Sequence, residues 1–226
     1  MLHLDRVGLT VGETTVLRDV TLDVDVRTLA VIGDNGSGKS SFARVVGGLV
    51  RPTTGTVRVL GVEPRGRSGA LRKRTALVFS NPDTQIIMPT VVEDVAFSLR
   101  GEGLSKQEQA ARAGEALARF GLAELADASA HELSSGQKQL LALCGAFVRD
   151  PDLVIADEPT AYLDARNARA VADHLFAPDG HRLVLVTHDL ALAAGCDAAV
   201  LFADGGVVEV GPADAVIARY ERELAC

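Results

Sequence analysis

The chain has few of the residues that mark several broad protein classes. Its 226 residues include no tryptophan and two tyrosines, although 47% of the residues are hydrophobic. Three cysteines (Cys144, Cys196 and Cys226) are too few and too widely spaced for a disulfide framework or a zinc site. We therefore expect an α/β core built on Val, Leu and Ala, in a protein of a reducing compartment.

Long apolar runs and basic blocks are also missing. The longest uncharged apolar stretch, Leu140–Val148, is far too short to span a bilayer, and Met1–Arg6 lacks the profile of a signal peptide. The net charge of −7 is spread along the chain, which argues against nucleic-acid binding and against direct adhesion to anionic lipid. We expect a cytoplasmic chain that reaches a membrane only through a protein partner.

A glycine-rich segment, Gly33–Ser40 (the phosphate loop), follows the apolar run Leu29–Ile32 and precedes a helical pattern over Phe42–Leu49. Glycines let successive backbone N–H groups turn toward one anion, and the helix N-terminus adds partial positive charge. Lys39 can reach the β- and γ-phosphates of a nucleotide, and the Ser40 hydroxyl can ligate Mg²⁺. The segment predicts binding of a nucleoside triphosphate, with these ATP-binding residues: Gly33, Asp34, Asn35, Gly36, Ser37, Gly38, Lys39, Ser40 and Ser41.

Two carboxylates end a second apolar strand, Leu153–Ala156. Ligands of open α/β sheets bind at the carboxyl ends of the strands, so Asp157 is placed to hold Mg²⁺. Glu158 is placed to orient and deprotonate an attacking water. The pair predicts hydrolysis of the bound triphosphate.

A second anion-binding turn, Leu133-Ser134-Ser135-Gly136-Gln137 (the signature turn), precedes an apolar helix that starts near Lys138. This turn resembles the Leu-Ser-Gly-Gly-Gln signature of the ATP-binding-cassette family, with Ser135 where the family has glycine. As an isolated pattern it would also fit a helix N-cap at Ser134 or Ser135. Its position about twenty residues before the Asp157-Glu158 pair favours the family.

The resemblance covers essentially the whole chain and implies its fold. That fold is an α/β P-loop NTPase (RecA-like) core with an antiparallel β subdomain and an inserted α-helical subdomain. We expect one domain, with residues 1–85 and 151–226 forming the core and residues 86–150 forming the helical subdomain. Within the helical part, Ser105 and Glu108 predict a capping box.

The resemblance also implies roles for residues outside the two loops. His188, after the strand Leu183–Val186, is similar to the family's switch histidine, which contacts the γ-phosphate. The segment Ala161–Asp164 (the Asp164 loop) resembles the D-loop that contacts the opposing subunit. Val11 stands where the family has an aromatic residue stacked on adenine, which predicts weaker base discrimination.

The segment Val78–Asp83 resembles the glutamine-containing loop of the family, with Ser80 in the glutamine position, and Ser80–Gln85 is named the coupling loop. Gln85 is a nearby candidate to compensate. With Thr90–Phe97, the coupling loop resembles energy-coupling-factor importers, and the run from Phe79 to Arg100 looks most like the ATPase of bacterial biotin importers. Ile86–Met88 then predict an exposed apolar patch on the helical insert for a membrane partner.

The family implies the cofactors ATP and Mg²⁺ and a set of partners. These partners are a second ATPase subunit in a head-to-tail dimer, a transmembrane coupling protein and a small substrate-binding membrane protein. Alternatives are a cobalt, nickel or other ATP-binding-cassette transporter, an exporter, or a non-transport ATPase of the DNA-repair type. A phosphate-loop kinase or GTPase would lack the signature turn and His188.

Overall fold

The computed structural model describes residues 1–64, 69–178 and 180–225, so Cys226 lies outside the described residues. The strands are β1 (Leu2–Val11), β2 (Thr14–Val24), β3 (Thr28–Gly33), β4 (Thr54–Val59), β5 (Thr75–Phe79), β6 (Leu153–Asp157), β7 (Arg182–Val186), β8 (Ala198–Ala203) and β9 (Gly206–Pro212). The helices are α1 (Lys39–Val46), α2 (Gly69–Arg74), α3 (Val91–Ser98), α4 (Lys106–Arg119), α5 (Ser135–Phe147), α6 (Ala165–Leu175), α7 (Leu190–Ala193) and α8 (Ala213–Leu224).

The chain divides into two compact units. The first comprises Met1–Thr75, Asp152–Glu158 and Gly180–Cys226, and the second comprises Ala76–Pro151 and Pro159–Asp179. The helical segment that the sequence predicts for residues 86–150 lies within the second unit. That unit also takes in residues 76–85 and the segment after Glu158, which the sequence analysis assigns to the core.

The first unit contains two sheets. In one, β1 pairs antiparallel with both β2 and β4, which is the antiparallel β subdomain that the family resemblance implies. In the other, β6, β7, β3 and β8 are parallel neighbours in that order, and β9 pairs antiparallel with β8. Every residue of β3 and of β6 is buried, as expected for apolar strands covered on both faces.

Helix α1 covers the parallel strands of the first unit. Its Phe42 is fully buried and its ring lies 5.1 Å from that of Phe202 on β8. The helix begins at Lys39 rather than at Phe42 as predicted, because Lys39 and Ser40, the last residues of the phosphate loop, already form its first turn. This packing fixes the end of β3 and the start of α1, and hence the loop between them.

The second unit is mainly helical. Leu99, Leu117 and Leu141 are buried in its core. The capping box predicted from Ser105 and Glu108 is present at the start of α4. Nowhere in residues 1–64, 69–178 and 180–225 does a helix reach the length and apolar character of a membrane span.

Candidate functional site

The carboxyl ends of three parallel strands in the first unit carry the predicted nucleotide site. Strand β3 ends at Gly33, β6 ends at Asp157, and β7 is followed by Thr187 and His188. Because β3 and β6 both flank β7, these ends lie side by side. The topology therefore brings together residues that are more than 100 positions apart in sequence, such as Ser40 and Asp157.

The phosphate loop depends on a glycine at its junction with α1. Gly38 has φ = 103°, and a Cβ added there would lie 2.8 Å from the Val16 carbonyl oxygen. A side chain would therefore be both strained and too close to backbone. Among the described residues, the loop also holds a buried hydroxyl without a hydrogen-bond partner, Ser37 Oγ. An unsatisfied buried polar atom in a loop of this shape fits a site that binds a polar ligand.

Lys39 is 6% exposed and turned back onto the phosphate loop. Its Nζ donates hydrogen bonds to the carbonyl oxygens of Gly33, at 2.7 Å, and of Asp34, at 2.8 Å. Burial lowers the pKa of Lys39, and the nearby carboxylates of Glu158, Asp157 and Asp34 oppose that shift. A buried cation whose partners are carbonyl oxygens is suited to exchange them for an anionic ligand.

Ser40 and Asp157 form the pair of oxygen ligands predicted for Mg²⁺. Ser40 Oγ donates to Asp157 Oδ1 at 3.0 Å. Asp157 is 8% exposed, and burial raises the pKa of its carboxyl, while the hydrogen bond from Ser40 opposes that shift. A buried carboxylate beside a hydroxyl is a fitting donor set for a hard cation, which takes oxygen ligands.

Glu158 adopts an unusual backbone conformation and touches His188. Its φ of 52° is left-handed, and its N–H donates to the Val186 carbonyl oxygen at 2.9 Å. His188 Nδ1 lies 2.8 Å from Glu158 Oε2, while Thr187 Oγ1 lies 3.5 Å from the same oxygen. The predicted base and the predicted switch histidine are thus direct neighbours.

Sequence reasoning missed one residue of this site. The Tyr220 hydroxyl, on α8, donates to Asp34 Oδ1 in the phosphate loop at 2.6 Å. Burial, followed by the effect of Asp34, raises the pKa of Tyr220 to about 12. The two residues are 186 positions apart, so no local pattern links them. The predicted base-contact residue Val11 lies at the end of β1 and is 59% exposed.

The signature turn lies in the second unit at the start of α5. Ser134 is the N-cap of this helix, and with Gln137 it forms a capping box. Ser135 is exposed, and the helix begins at this residue rather than near Lys138 as predicted. The N-cap interpretation and the anion-binding interpretation of the turn are compatible, because Ser134 and Gln137 satisfy only part of the helix's free N–H groups.

The coupling loop, also in the second unit, is fixed by amide side chains. Gln85 accepts from the Phe79 N–H at 2.8 Å and donates to the Leu77 carbonyl oxygen at 2.9 Å. Both ends of its amide are therefore bound to backbone. The hypothesis that Gln85 compensates for Ser80 is not supported by this geometry. Asn81 caps the short 3-10 turn Pro82–Thr84 by accepting from the Asp83 N–H.

The predicted patch Ile86–Met88 needs correction. Ile86 is only 6% exposed, Ile87 is 59% exposed and Met88 is half-buried, and the segment lies just before α3. Asp94 fixes the backbone after Ile86, because its Oδ1 accepts from the N–H groups of Ile87, at 2.8 Å, and Met88, at 3.0 Å. The prediction of an exposed side chain is confirmed for Ile87 and wrong for Ile86.

Comparison with known proteins assigns the family. Residues 17–161 match the model of the ABC transporter family. The chain is 41% identical over 224 residues to the biotin transport ATP-binding protein BioM of Rhizobium etli, covering 99% of each chain. It is 40% identical over 209 residues to the energy-coupling factor transporter ATP-binding protein EcfA1 of Symbiobacterium thermophilum, covering 89% of this chain and 73% of that one.

A solved structure agrees with the sequence relatives. The ATP-binding cassette MJ0796, in a dimeric post-hydrolysis state bound to ADP and Pi, matches with a TM-score of 0.82 and 28% identity. That match covers 94% of this chain and 99% of the other. The α/β cassette fold expected from the phosphate loop and the signature turn is therefore confirmed. On the family match, the full-length relatives and the shared fold, the chain belongs to the ABC transporter family.

Proposed function

We propose that this chain is the ATP-hydrolysing subunit that energises uptake of biotin through an importer of the energy-coupling-factor type. The observation that carries the ATPase part is the convergence of Lys39, Ser40, Asp157, Glu158 and His188 at adjoining strand ends of the first unit. The biotin part rests on the full-length relative named as a biotin transport ATP-binding protein.

The phosphate loop would bind the triphosphate of ATP. Lys39 exchanges the Gly33 and Asp34 carbonyl oxygens for the β- and γ-phosphates, and the free Ser37 hydroxyl finds a polar partner. Ser40 and Asp157 would hold Mg²⁺, which would neutralise charge on the phosphates. The exposed Val11 contacts the base with an apolar surface and no aromatic ring, which weakens discrimination between nucleotides.

Glu158 is the proposed general base. Its carboxylate would orient a water for attack on the γ-phosphate and accept its proton, an effect worth roughly 10²–10⁴-fold in rate. His188 holds this carboxylate through the 2.8 Å contact and presents its other ring nitrogen toward the γ-phosphate. The left-handed backbone at Glu158 is the kind of local strain that concentrates at functional sites.

A dimer would complete each nucleotide site. The signature turn, with the free N–H groups at the start of α5, is in the second unit. The phosphate loop, which is proposed to bind the triphosphate of ATP, is in the first unit. We propose that Ser134, Ser135 and Gly136 of one subunit, together with its Asp164 loop, face the ATP bound by the other subunit. The dimeric ADP-bound state of MJ0796 supports this arrangement.

The exposed Ile87 is the proposed contact with the transmembrane coupling protein, beside the coupling loop residues Ser80, Asn81 and Gln85. A small substrate-binding membrane protein would supply the biotin site. The chain would then sit peripherally on the cytoplasmic face of the membrane. An energy-coupling-factor importer for another vitamin is the second candidate, which the EcfA1 relative favours.

Uptake of labelled biotin by a strain lacking the gene for this chain tests the proposal. The native gene should restore uptake. Glu158→Gln should not restore it, although the purified variant should still bind ATP and should lose hydrolysis by at least about 100-fold. Lys39→Ala should lose ATP binding as well, because the variant lacks the ammonium group that is proposed to pair with the β- and γ-phosphates.

Lys106→Ala is the matched control for the lysine substitution, because Lys106 is exposed on α4. This variant should restore uptake fully. If the native chain hydrolyses ATP but does not restore biotin uptake, the chain energises transport of a different substrate. Hydrolysis at the native rate by the Glu158→Gln variant would contradict the assignment of the base.

A further inference from the structure

Asn167 lies between two loops of the second unit that sequence analysis treats separately. It is the third residue of α6, and Asp164, in the loop before it, is the N-cap of that helix. The Asn167 N–H donates to Asp164 Oδ1 at 2.8 Å, and the Asn167 Nδ2 donates to Asp164 Oδ2 at 2.8 Å. One residue therefore satisfies both oxygens of the Asp164 carboxylate.

The other side of the Asn167 amide faces Gly136 of the signature turn. A Cβ added at Gly136 would lie 2.5 Å from Asn167 Nδ2 and 2.6 Å from Asn167 Oδ1, far inside normal packing distance. The amide thus occupies the space of the missing side chain. A side chain at position 136 would therefore fit only if the Asn167 amide moved away.

Charge supports the same arrangement. The hydrogen bonds from Asn167 lower the pKa of Asp164, so its carboxyl stays ionised at neutral pH. An ionised carboxylate strengthens the hydrogen bond from the Asn167 amide and holds that amide in the orientation that covers Gly136. The contact with Gly136 and the bonds to Asp164 are therefore mutually dependent.

We propose that Asn167 is a positioning residue that fixes the spacing between the signature turn and the Asp164 loop. This inference rests on the proposed function, in which both loops approach the nucleotide of the opposing subunit. Held together, they meet that nucleotide as one surface. Asn167 itself acts through Gly136 and Asp164.

A double-mutant cycle tests the contact between Asn167 and Gly136 in the purified full-length chain. Gly136→Ala should lower kcat by about 100-fold, because its methyl group displaces the amide. Asn167→Ala should lower kcat by about tenfold, the loss expected for a charge-assisted hydrogen bond. The double variant should be no worse than Asn167→Ala alone, because the space for the methyl group is then free. ATP binding by the separated subunits should be unchanged in all three.

Two control variants address general damage to the helices. Gly114→Ala makes the same substitution in α4, where an added Cβ meets nothing within 4 Å. Arg169→Ala truncates an exposed side chain on α6. Both should keep the native kcat, and thermal unfolding followed by circular dichroism should show that every variant is folded.

Asn167→Asp separates the hydrogen bond from the packing, because it keeps the shape of the side chain but removes its donor. Two facing carboxylates share a proton more readily at low pH, which restores a donor. The kcat of this variant relative to the native chain should therefore rise as pH falls from about 7 to about 5.

Each result decides a different claim. Effects of Gly136→Ala and Asn167→Ala that multiply in the double variant would overturn the inference, as would a pH-independent ratio for Asn167→Asp. Native activity in Asn167→Ala would do the same. A native chain that binds or hydrolyses no ATP would instead overturn the proposed function, and this inference with it.

Discussion

Asp157, the proposed Mg²⁺ ligand, is a residue whose charge burial disfavours. Its carboxyl is buried, its pKa is raised mainly by that burial, and Ser40 donates a side-chain hydrogen bond to it. Because the folded pKa lies above the unfolded pKa, the ionised carboxylate is less favourable in the folded chain. Its contribution favours folding below the unfolded pKa and is lost as pH rises through the folded pKa. At neutral pH the cost is fully present unless a cation offsets it.

Asp157→Asn should therefore stabilise the chain in the absence of Mg²⁺ and nucleotide. The amide oxygen still accepts from Ser40, while the charge that burial disfavours is gone. We expect the melting temperature at pH 7 to rise by about 2–4 °C, the shift that roughly 1 kcal/mol gives in a domain of this size. The measurement is thermal unfolding between pH 4 and pH 7. The difference between the variant and the native chain should grow with pH, and a difference that shrinks would contradict the argument.

Helix α8 is the element whose role could not be read from the sequence. Buried Ala213, Val216 and Ile217 pack it onto the first unit, and Arg219 pairs with Glu209 of β9 at 2.8 Å. The helix thereby holds the Tyr220 hydroxyl against the Asp34 carboxylate of the phosphate loop. Without that donor, the carboxylate would be a free negative charge beside the position proposed for the triphosphate.

Tyr220→Phe should weaken ATP binding by about fivefold, the effect of losing a hydrogen bond worth about 1 kcal/mol. Adding Asp34→Asn should restore the affinity, because the repelling charge is then removed. Glu221→Gln, an exposed neighbour on the same helix, serves as the control and should bind ATP normally. Fluorescence titration with an ATP analogue measures the Kd. An unchanged Kd in Tyr220→Phe would show that the hydrogen bond has no part in binding.

Strands and caps could be predicted from the sequence because their signals are local. The predicted strand Leu183–Val186 lies within β7, and the Ser105–Glu108 capping box is present. The different exposure of Ile86 and Ile87 could not be predicted, because an apolar run alone does not show which of its side chains the folded chain covers. The contacts of Tyr220 with Asp34 and of Asn167 with Gly136 were also missed. They join segments that only the folded chain brings together.

At the scale of the whole molecule, the proposed contacts divide between the two units. The residues proposed to bind and hydrolyse the subunit's own ATP are in the first unit. The signature turn and the Asp164 loop, which are proposed to face the ATP of the opposing subunit, are in the second unit. The second unit also contains the coupling loop and Ile87, which are the residues proposed to contact the membrane partner. A change in the second unit can therefore separate membrane coupling from ATP binding, which no substitution in the phosphate loop can do.

Ile87→Asp should abolish biotin uptake and detach the chain from its membrane complex, while leaving ATP binding intact. The Asp94 carboxylate fixes the backbone of Ile87, so its exposed side chain is presented outward and a charge there would be buried against the apolar surface of a partner. Leu224→Asp is a matched control, because Leu224 is also 59% exposed but lies at the end of α8. Co-purification with the membrane proteins and labelled-biotin uptake are the measurements. If both variants behave alike, Ile87 is not the docking residue; if only Ile87→Asp is detached, the membrane partner contacts the second unit at this position.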